Sequence, residues 1–157
     1  MGDGLDRGER DGVLGSKMNA ALHEVRQVYA DLAARPIERN CVRLKECCHF
    51  KLTGRTPYLT KGEALVAARA LRATGRTRLP ANPNNGCPLL DAATGNCLIY
   101  ESRPFGCRTY FCAAAGGPYS RRQVLDLIRR LETVDESLGG SGPRVLQNAI
   151  ADALAEL

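Results

Sequence analysis

Residues 87–112, CPLLDAATGNCLIYESRPFGCRTYFC, contain four of the seven cysteines in this chain of 157 residues. Three of the four, Cys87, Cys97 and Cys107, recur at intervals of ten, and Cys112 follows closely. Turn residues lie between them, so the stretch folds back on itself. Thiolates are soft ligands that suit zinc, iron–sulfur clusters or copper(I). Thiols at this density therefore predict a metal site.

The three remaining cysteines, Cys41, Cys47 and Cys48, lie upstream and can complete such a site. An odd total of seven suits disulfide pairing poorly. The N-terminus mixes both charges with glycine and has no apolar signal core. No stretch approaches the roughly 18 apolar residues of a membrane span. We therefore expect a cytoplasmic protein with reduced thiols and no membrane partner.

The charge balance says little about partners. Twenty-two basic residues stand against 17 acidic ones, a net charge of +5 that is spread along the chain. This excess permits an acidic partner but does not favour nucleic acid. The partner, protein or small molecule, stays unidentified. The sequence has no phosphate loop and no paired acid and base, so whether the protein is an enzyme is left open.

Apolar periodicity predicts a mainly α fold of about four helices. The predicted helices span residues 19–34, 60–75, 120–138 and 143–157. Thr60 and Glu63 form a capping box at the start of the second helix, Ser120 caps the third, and Pro143 suits the first turn of the last. Aromatic residues make up only 5% of the chain, which favours a helical core of Leu, Val and Ala.

The predicted domain organisation has two parts. Residues 1–18 are expected to form a flexible arm, and residues 19–157 a single domain. Within that domain, a metal-binding region over 41–112 contains a small β-hairpin, with strands at 87–90 and 97–100. The helical pair over 120–157 follows it.

The cysteine spacing does not match a zinc finger, because that class uses two Cys-x2-Cys knuckles. Here the first group fits the pattern Cys-x2-Cys-x2-Cys-Cys, except that Leu44 stands at the second place. The second group reads Cys-x2-Leu-x6-Cys-x-Ile-Tyr-Glu-x-Arg-Pro-x2-Cys-Arg-x-Tyr-x-Cys. Over about residues 41–112 the chain resembles the YkgJ-type cysteine-cluster family, also called the zinc- or iron-chelating CxxCxxCC domain.

This resemblance implies metal binding, with the metal left open between zinc and iron. Flagellin lysine N-methylases contain a similar cysteine domain and are regarded as iron–sulfur proteins that use S-adenosylmethionine. They are longer chains, and no strand, glycine-rich turn and helix of an S-adenosylmethionine unit is found here. An iron–sulfur enzyme of the lysine N-methylase type is therefore an alternative interpretation. A structural zinc module for protein-partner binding, or a metal carrier, is another.

Leu44 raises the question whether this chain has lost a ligand or never needed it. His49, next to Cys48, is the nearest substitute. His23 lies beside the apolar stripe of the first helix and is expected to be an ordinary boundary residue. All seven cysteines remain candidate ligands, and Cys47 or Cys48 can be a spectator because neighbouring side chains diverge.

Charged and aromatic side chains flank the second cysteine group. Four thiolates around a divalent ion, or around an oxidised four-iron cluster, leave a net charge near −2, which Arg103 and Arg108 can offset. Arg108 is the better candidate, because Arg103 can instead pair with Glu101. Tyr100 and Tyr110 are expected to pack around the site. Adjacent and widely spaced cysteines suit a multi-metal cluster, so a 4Fe–4S cluster is preferred to Zn²⁺.

Overall fold

Four long helices form the frame of the molecule. The computed structural model describes residues 6–41, 46–81 and 86–157. The long helices are α1 (Asp6–Ala33), α3 (Lys61–Ala73), α5 (Arg121–Ser137) and α6 (Leu146–Glu156), and the short ones are α2 (Phe50–Thr53) and α4 (Phe105–Thr109). Two strands, β1 (Tyr58–Leu59) and β2 (Arg144–Val145), pair antiparallel. The predicted mainly α fold with four principal helices is confirmed.

Helix α3 is the central element, and α1, α5 and α6 pack around it. Residues 62–68 are all buried, so this helix faces protein on every side. Gly62 makes the close approach possible: a Cβ at this position would lie 2.7 Å from Val134 Cγ1 and 2.9 Å from Val25 Cγ2. Three helices therefore meet at one glycine.

Both predicted helix starts with capping signals are confirmed. The Thr60–Glu63 capping box opens α3, and a second box, Ser120–Gln123, opens α5. Polar contacts on the outer side then join α5 to α1. Arg130 of α5 binds Glu24 at 2.7 Å and Asp31 at 2.6 Å.

Two helix boundaries differ from the prediction. Helix α1 begins at Asp6 rather than at residue 19, so residues 6–18 are helical, and residues 8–17 are exposed. Helix α6 begins at Leu146, and Pro143 lies outside it. The reason is that β2 intervenes and pairs with β1, Tyr58 with Val145 and Leu59 with Arg144.

A buried carboxylate fixes the loop that precedes β2. Asp135 Oδ1 accepts a hydrogen bond from the Lys61 backbone N–H at 2.7 Å, and Oδ2 accepts one from Gly142 N–H at 2.9 Å. The loop is thereby held against the start of α3. This places β2 beside β1, one turn before the central helix.

The predicted hairpin is reduced to a chain reversal with one antiparallel bridge, Leu90 to Cys97. The Asp91 side chain accepts from Ala93 N–H at 2.8 Å and tightens the turn. Strands at 87–90 and 97–100 do not form. The Cys87 N–H instead donates to the Cys48 carbonyl at 2.7 Å, and a 3₁₀ turn, Tyr100–Ser102, follows the bridge.

One further property of the frame concerns membranes. Within the described ranges, no helix combines the length and the apolar character that crossing a bilayer requires.

Candidate metal centre

A cavity of about 440 Å³ lies where the two cysteine groups meet. Six of the seven cysteines line it, namely Cys41, Cys47, Cys48, Cys87, Cys97 and Cys107. Apolar and aromatic side chains complete the wall, among them Phe50, Leu89, Tyr110 and Phe111. Segments from both sides of α3 in the sequence therefore converge on one space.

Short irregular segments present these thiols. Cys47 and Cys48 belong to the 3₁₀ turn Glu46–Cys48, and the backbone bond from Cys87 to Cys48 joins the two cysteine groups. Cys97 sits at the bridge with Leu90. Cys107 lies in α4, whose N-cap is Pro104. Tight turns of this kind hold thiols in place with little entropy left to lose.

Five of the cavity thiols are close enough for their charges to interact, and we call Cys47, Cys48, Cys87, Cys97 and Cys107 the thiol group. The Sγ atoms of Cys47 and Cys48 are 4.0 Å apart. A hydrogen bond from Cys48 lowers the pKa of Cys47 to about 6, and the same bond raises the pKa of Cys48. The pairing therefore favours the thiolate form at Cys47 over that at Cys48.

The other three members are held as neutral thiols. Burial raises the pKa of Cys87 to about 11 and raises the pKa of Cys97 as well. The pKa of Cys107 is raised chiefly by burial and further by its interactions with Cys87 and Cys97. Because a metal ligand must be a thiolate, binding of a cation here would release protons.

The donor set fits a soft metal, since five thiols surround one cavity and all seven cysteines, each within the described residues, are outside any disulfide. The thiols are spread over the wall. Across the described ranges, no three His, Cys, Asp or Glu side chains are grouped closely enough to hold one metal ion. The arrangement is that of a lined cavity rather than of a closed tetrahedral site.

The remaining predicted ligands lie at or beyond the margin. Cys41 is exposed at the cavity wall, and Cys112, half-buried, is not part of the lining. His49 is exposed and lies off the cavity, and His23 is exposed on α1. Leu44 is outside the described residues. The structure thus brings together Cys97 and Cys107 but leaves Cys112 apart from them.

Two arginines on the cavity wall stack on tyrosines. The Arg103 guanidinium lies 4.0 Å from the centroid of the Tyr100 ring, and the Arg55 guanidinium 4.7 Å from that of Tyr110. Arg103 also donates to the Tyr100 carbonyl at 3.2 Å. Its positive charge lowers the pKa of Cys47 and Cys97, although other effects on these pKa values are larger. Arg55 was not among the residues predicted to flank the site.

Arg108 lies behind the wall instead of on it. Its Nε donates to the Arg103 carbonyl at 2.8 Å and its Nη2 to the Glu101 carbonyl at 2.6 Å. Its guanidinium also lies over the Tyr29 ring, 4.1 Å from the centroid. Arg108 therefore holds the turn that carries Arg103, whereas the Glu101 side chain lines the cavity.

A further arginine, Arg39, fixes the chain just before Cys41. Arg39 Nε donates to the Gly117 carbonyl at 2.7 Å, and its guanidinium lies 5.0 Å from the centroid of the Tyr119 ring. The Asn40 N–H donates to the Ala115 carbonyl at 3.2 Å. The segments that carry Cys41 and Cys112 are thereby joined on the far side of the cavity.

A family model described as "CxxCxxCC: Putative zinc- or iron-chelating domain" matches residues 39–127, more than half of the chain and a range that includes all seven cysteines. No curated protein matches, and no solved structure matches.

Proposed function

Because the chain belongs to the CxxCxxCC family of zinc- or iron-chelating domains, we propose that it binds a metal cofactor through the thiol group. This agrees with the resemblance read from the cysteine spacing. The observation that carries the proposal is the convergence of five interacting thiols on one cavity. Thiolates at such a site would hold iron or zinc as ligands.

Of the two metals, we favour iron in a 4Fe–4S cluster. A single zinc ion needs four ligands at about 2.3 Å, meeting at one point. The thiols here are spread around a cavity of about 440 Å³, which suits a group of several atoms. Such a cluster would supply electron transfer or Lewis-acid chemistry when bound.

The charge around the cavity supports the same proposal. Four thiolates on an oxidised four-iron cluster leave a charge near −2, as estimated from the formal charges of cluster and ligands. Arg55 and Arg103 lie on the wall, and their positive charges would offset it. Stacking on tyrosine keeps both guanidiniums in place.

Anaerobic purification with analysis of iron, zinc and acid-labile sulfide tests the proposal. Iron with an equal amount of sulfide is the expected result, and stoichiometric zinc without sulfide would assign a zinc site instead. A protein with neither metal, before and after reconstitution, would contradict metal binding.

Two serine variants locate the ligands. Cys107→Ser removes a thiol from the cavity wall and should lose most of the bound metal. Cys112→Ser is the matched control, because it removes a half-buried thiol of the same segment that does not line the cavity. Equal loss in both variants would show that the ligand set is not the thiol group.

A further inference from the structure

A buried carboxylate connects the central helix to the helix that carries Cys107. Glu63 lies in the first turn of α3 and is 3% exposed. Its Oε2 accepts hydrogen bonds from the Thr60 N–H and the Thr60 hydroxyl, both at 2.9 Å. Its Oε1 accepts a different bond, from the Phe105 N–H at 2.8 Å.

The second oxygen acts outside the helix cap. Phe105 is the first residue of α4, and Cys107 follows two positions later in the same helical turn. Phe105 is itself buried, and its carbonyl accepts from the Thr109 hydroxyl at 3.1 Å. Fixing the Phe105 N–H therefore fixes the position from which Cys107 projects onto the cavity wall.

Tyr29 is buried near Glu63 and is close enough to Cys107 for their charges to interact. Its pKa is raised well above the usual value, first by burial and then by the charge of Glu63, with a further contribution from Cys107. The ring lies beneath the Arg108 guanidinium. Glu63 and Tyr29 thus lie close to Cys107, which lines the cavity.

We propose that Glu63 is a positioning residue for the metal site, holding α4 and Cys107 in place through the Phe105 N–H. This inference rests on the proposed function, since it assigns Cys107 to the ligand set. The two oxygens separate the two roles: Oε2 caps α3, and Oε1 holds the ligand-bearing helix. A residue that only capped α3 would need no bond to Phe105.

Cobalt(II) titration of the metal-free protein tests this assignment. Thiolate-to-cobalt absorption reports the number and arrangement of sulfur ligands, which loss of helix stability alone does not change. In Glu63→Gln, the single remaining acceptor oxygen must give up either the cap or Phe105. We expect about a tenfold or greater loss of cobalt affinity, the range typical of lost outer-shell partners, and a weaker thiolate band.

Two variants serve as controls for capping. Thr60→Ala removes the hydroxyl bond to Oε2 and leaves Oε1 on Phe105, and Gln123→Ala removes the equivalent box of α5 away from the cavity. Both should lower resistance to urea and keep the cobalt spectrum and affinity of the natural protein. A spectral change in Thr60→Ala equal to that in Glu63→Gln would overturn the separation of roles.

The outcomes also separate this inference from the proposed function. If the natural protein binds cobalt and Glu63→Gln binds it with the same affinity and spectrum, Glu63 is not a positioning residue, while metal binding stands. If the natural protein binds neither cobalt nor iron with sulfide, the proposed function fails. Should Glu63→Gln not fold, Glu63→Asp provides the test, because its shorter side chain withdraws an oxygen from Phe105. An unchanged spectrum in that variant would again contradict the inference.

Discussion

Arg103 places a positive charge beside the thiols Cys47 and Cys97. It lies on the cavity wall, and its charge favours the thiolate forms of Cys47 and Cys97. Its stacking on Tyr100 and its bond to the Tyr100 carbonyl leave it close to these sulfur atoms. Arginine suits this position because its planar guanidinium stays charged at every accessible pH.

Replacing Arg103 by glutamine should therefore make Cys97 less reactive. The thiolate is the nucleophile, so a higher pKa means slower alkylation at neutral pH. We expect iodoacetamide to label Cys97 of the metal-free protein roughly two- to threefold more slowly in Arg103→Gln, as for a charge effect of about 0.5 kcal/mol. Mass spectrometry of tryptic peptides measures this. Arg103→Lys keeps the charge and should label at the natural rate; equal slowing in both variants would exclude an electrostatic role.

Glu63 gives a pH dependence with a definite sign. Burial raises the pKa of this carboxyl in the folded protein, although the Thr60 and Phe105 bonds oppose the shift. Below the unfolded pKa of about 4.3, Glu63 is protonated in both states and adds no pH dependence. As the pH rises toward the folded pKa, the unfolded state ionises first, and the folded state loses stability.

The difference in unfolding free energy between the natural protein and Glu63→Gln should therefore fall as the pH rises above about 4.3 and then level off. Urea unfolding at several pH values measures it. The neighbouring Tyr29, Cys107 and Arg108 are common to both proteins, so their titration largely cancels. A difference that rises with pH would mean that the hydrogen bonds outweigh burial.

At the scale of elements, contacts between loops hold the cysteine-bearing segments together. Gly116 has φ of +112°, and a Cβ there would lie 2.9 Å from Arg39 Cδ. Gly116→Ala should thus lower the free energy of unfolding in two ways. It adds backbone strain of about 1–2 kcal/mol, and it displaces Arg39. The Arg39 clamp holds the chain beside Cys41 to the segment after Cys112.

A double-mutant cycle separates the two costs. In an Arg39→Ala background the side-chain clash is absent, so Gly116→Ala should cost only the backbone strain. Urea unfolding of the four proteins gives the coupling. Full additivity would show that Gly116 and Arg39 act independently.

The helices were predictable from the sequence because their signals are local. The Thr60–Glu63 box and the Ser120 cap lie at the start of the helix that each defines, and the apolar periodicity runs along the helices themselves. The structure of residues 87–100 was not predictable in this way. The Cys87 N–H bonds to the Cys48 carbonyl, 39 positions away in sequence, instead of pairing in a hairpin. The prediction that Pro143 lies in the first turn of the last helix was wrong for the same reason, because β2 pairs with β1, which is distant in sequence.

The candidate site was likewise predictable only in part. The cysteine spacing marked all seven thiols as candidates, of which six line the cavity, and the flanking Arg103 and Tyr110 were found by their proximity in sequence. Arg55 and the Phe105 bond of Glu63 could not be found from the sequence. The bond depends on how α3 and α4 pack, and the place of Arg55 depends on how the segment between α2 and β1 meets Tyr110 at the end of α4. The positions of Arg103 on the wall and Arg108 behind it likewise depend on how the turn between them folds.

For the whole molecule, the long helices supply most of the core around α3, whereas the cavity segments are mostly turns that add only a few residues to it. Metal binding by thiolates contributes on the order of 10 kcal/mol in small zinc domains. Removing the metal should therefore raise hydrogen exchange in residues 46–58 and 86–117 before it affects α3 and α5. Exchange measured by mass spectrometry before and after chelation checks this. Uniform protection in the cavity segments after metal loss would contradict a role for metal in ordering them.

The two-residue sheet bears on the order of assembly. Tyr58–Leu59 and Arg144–Val145 close a loop of roughly 90 residues, and the entropy of closure grows only with the logarithm of loop length. A link between Cys48 and Cys107 would shorten the path between the strands to roughly 50 residues, which saves only about 0.5 kcal/mol. The entropic cost of closing the sheet is thus nearly the same with and without a bound metal. A newly made chain can therefore complete its helical frame before a metal binds.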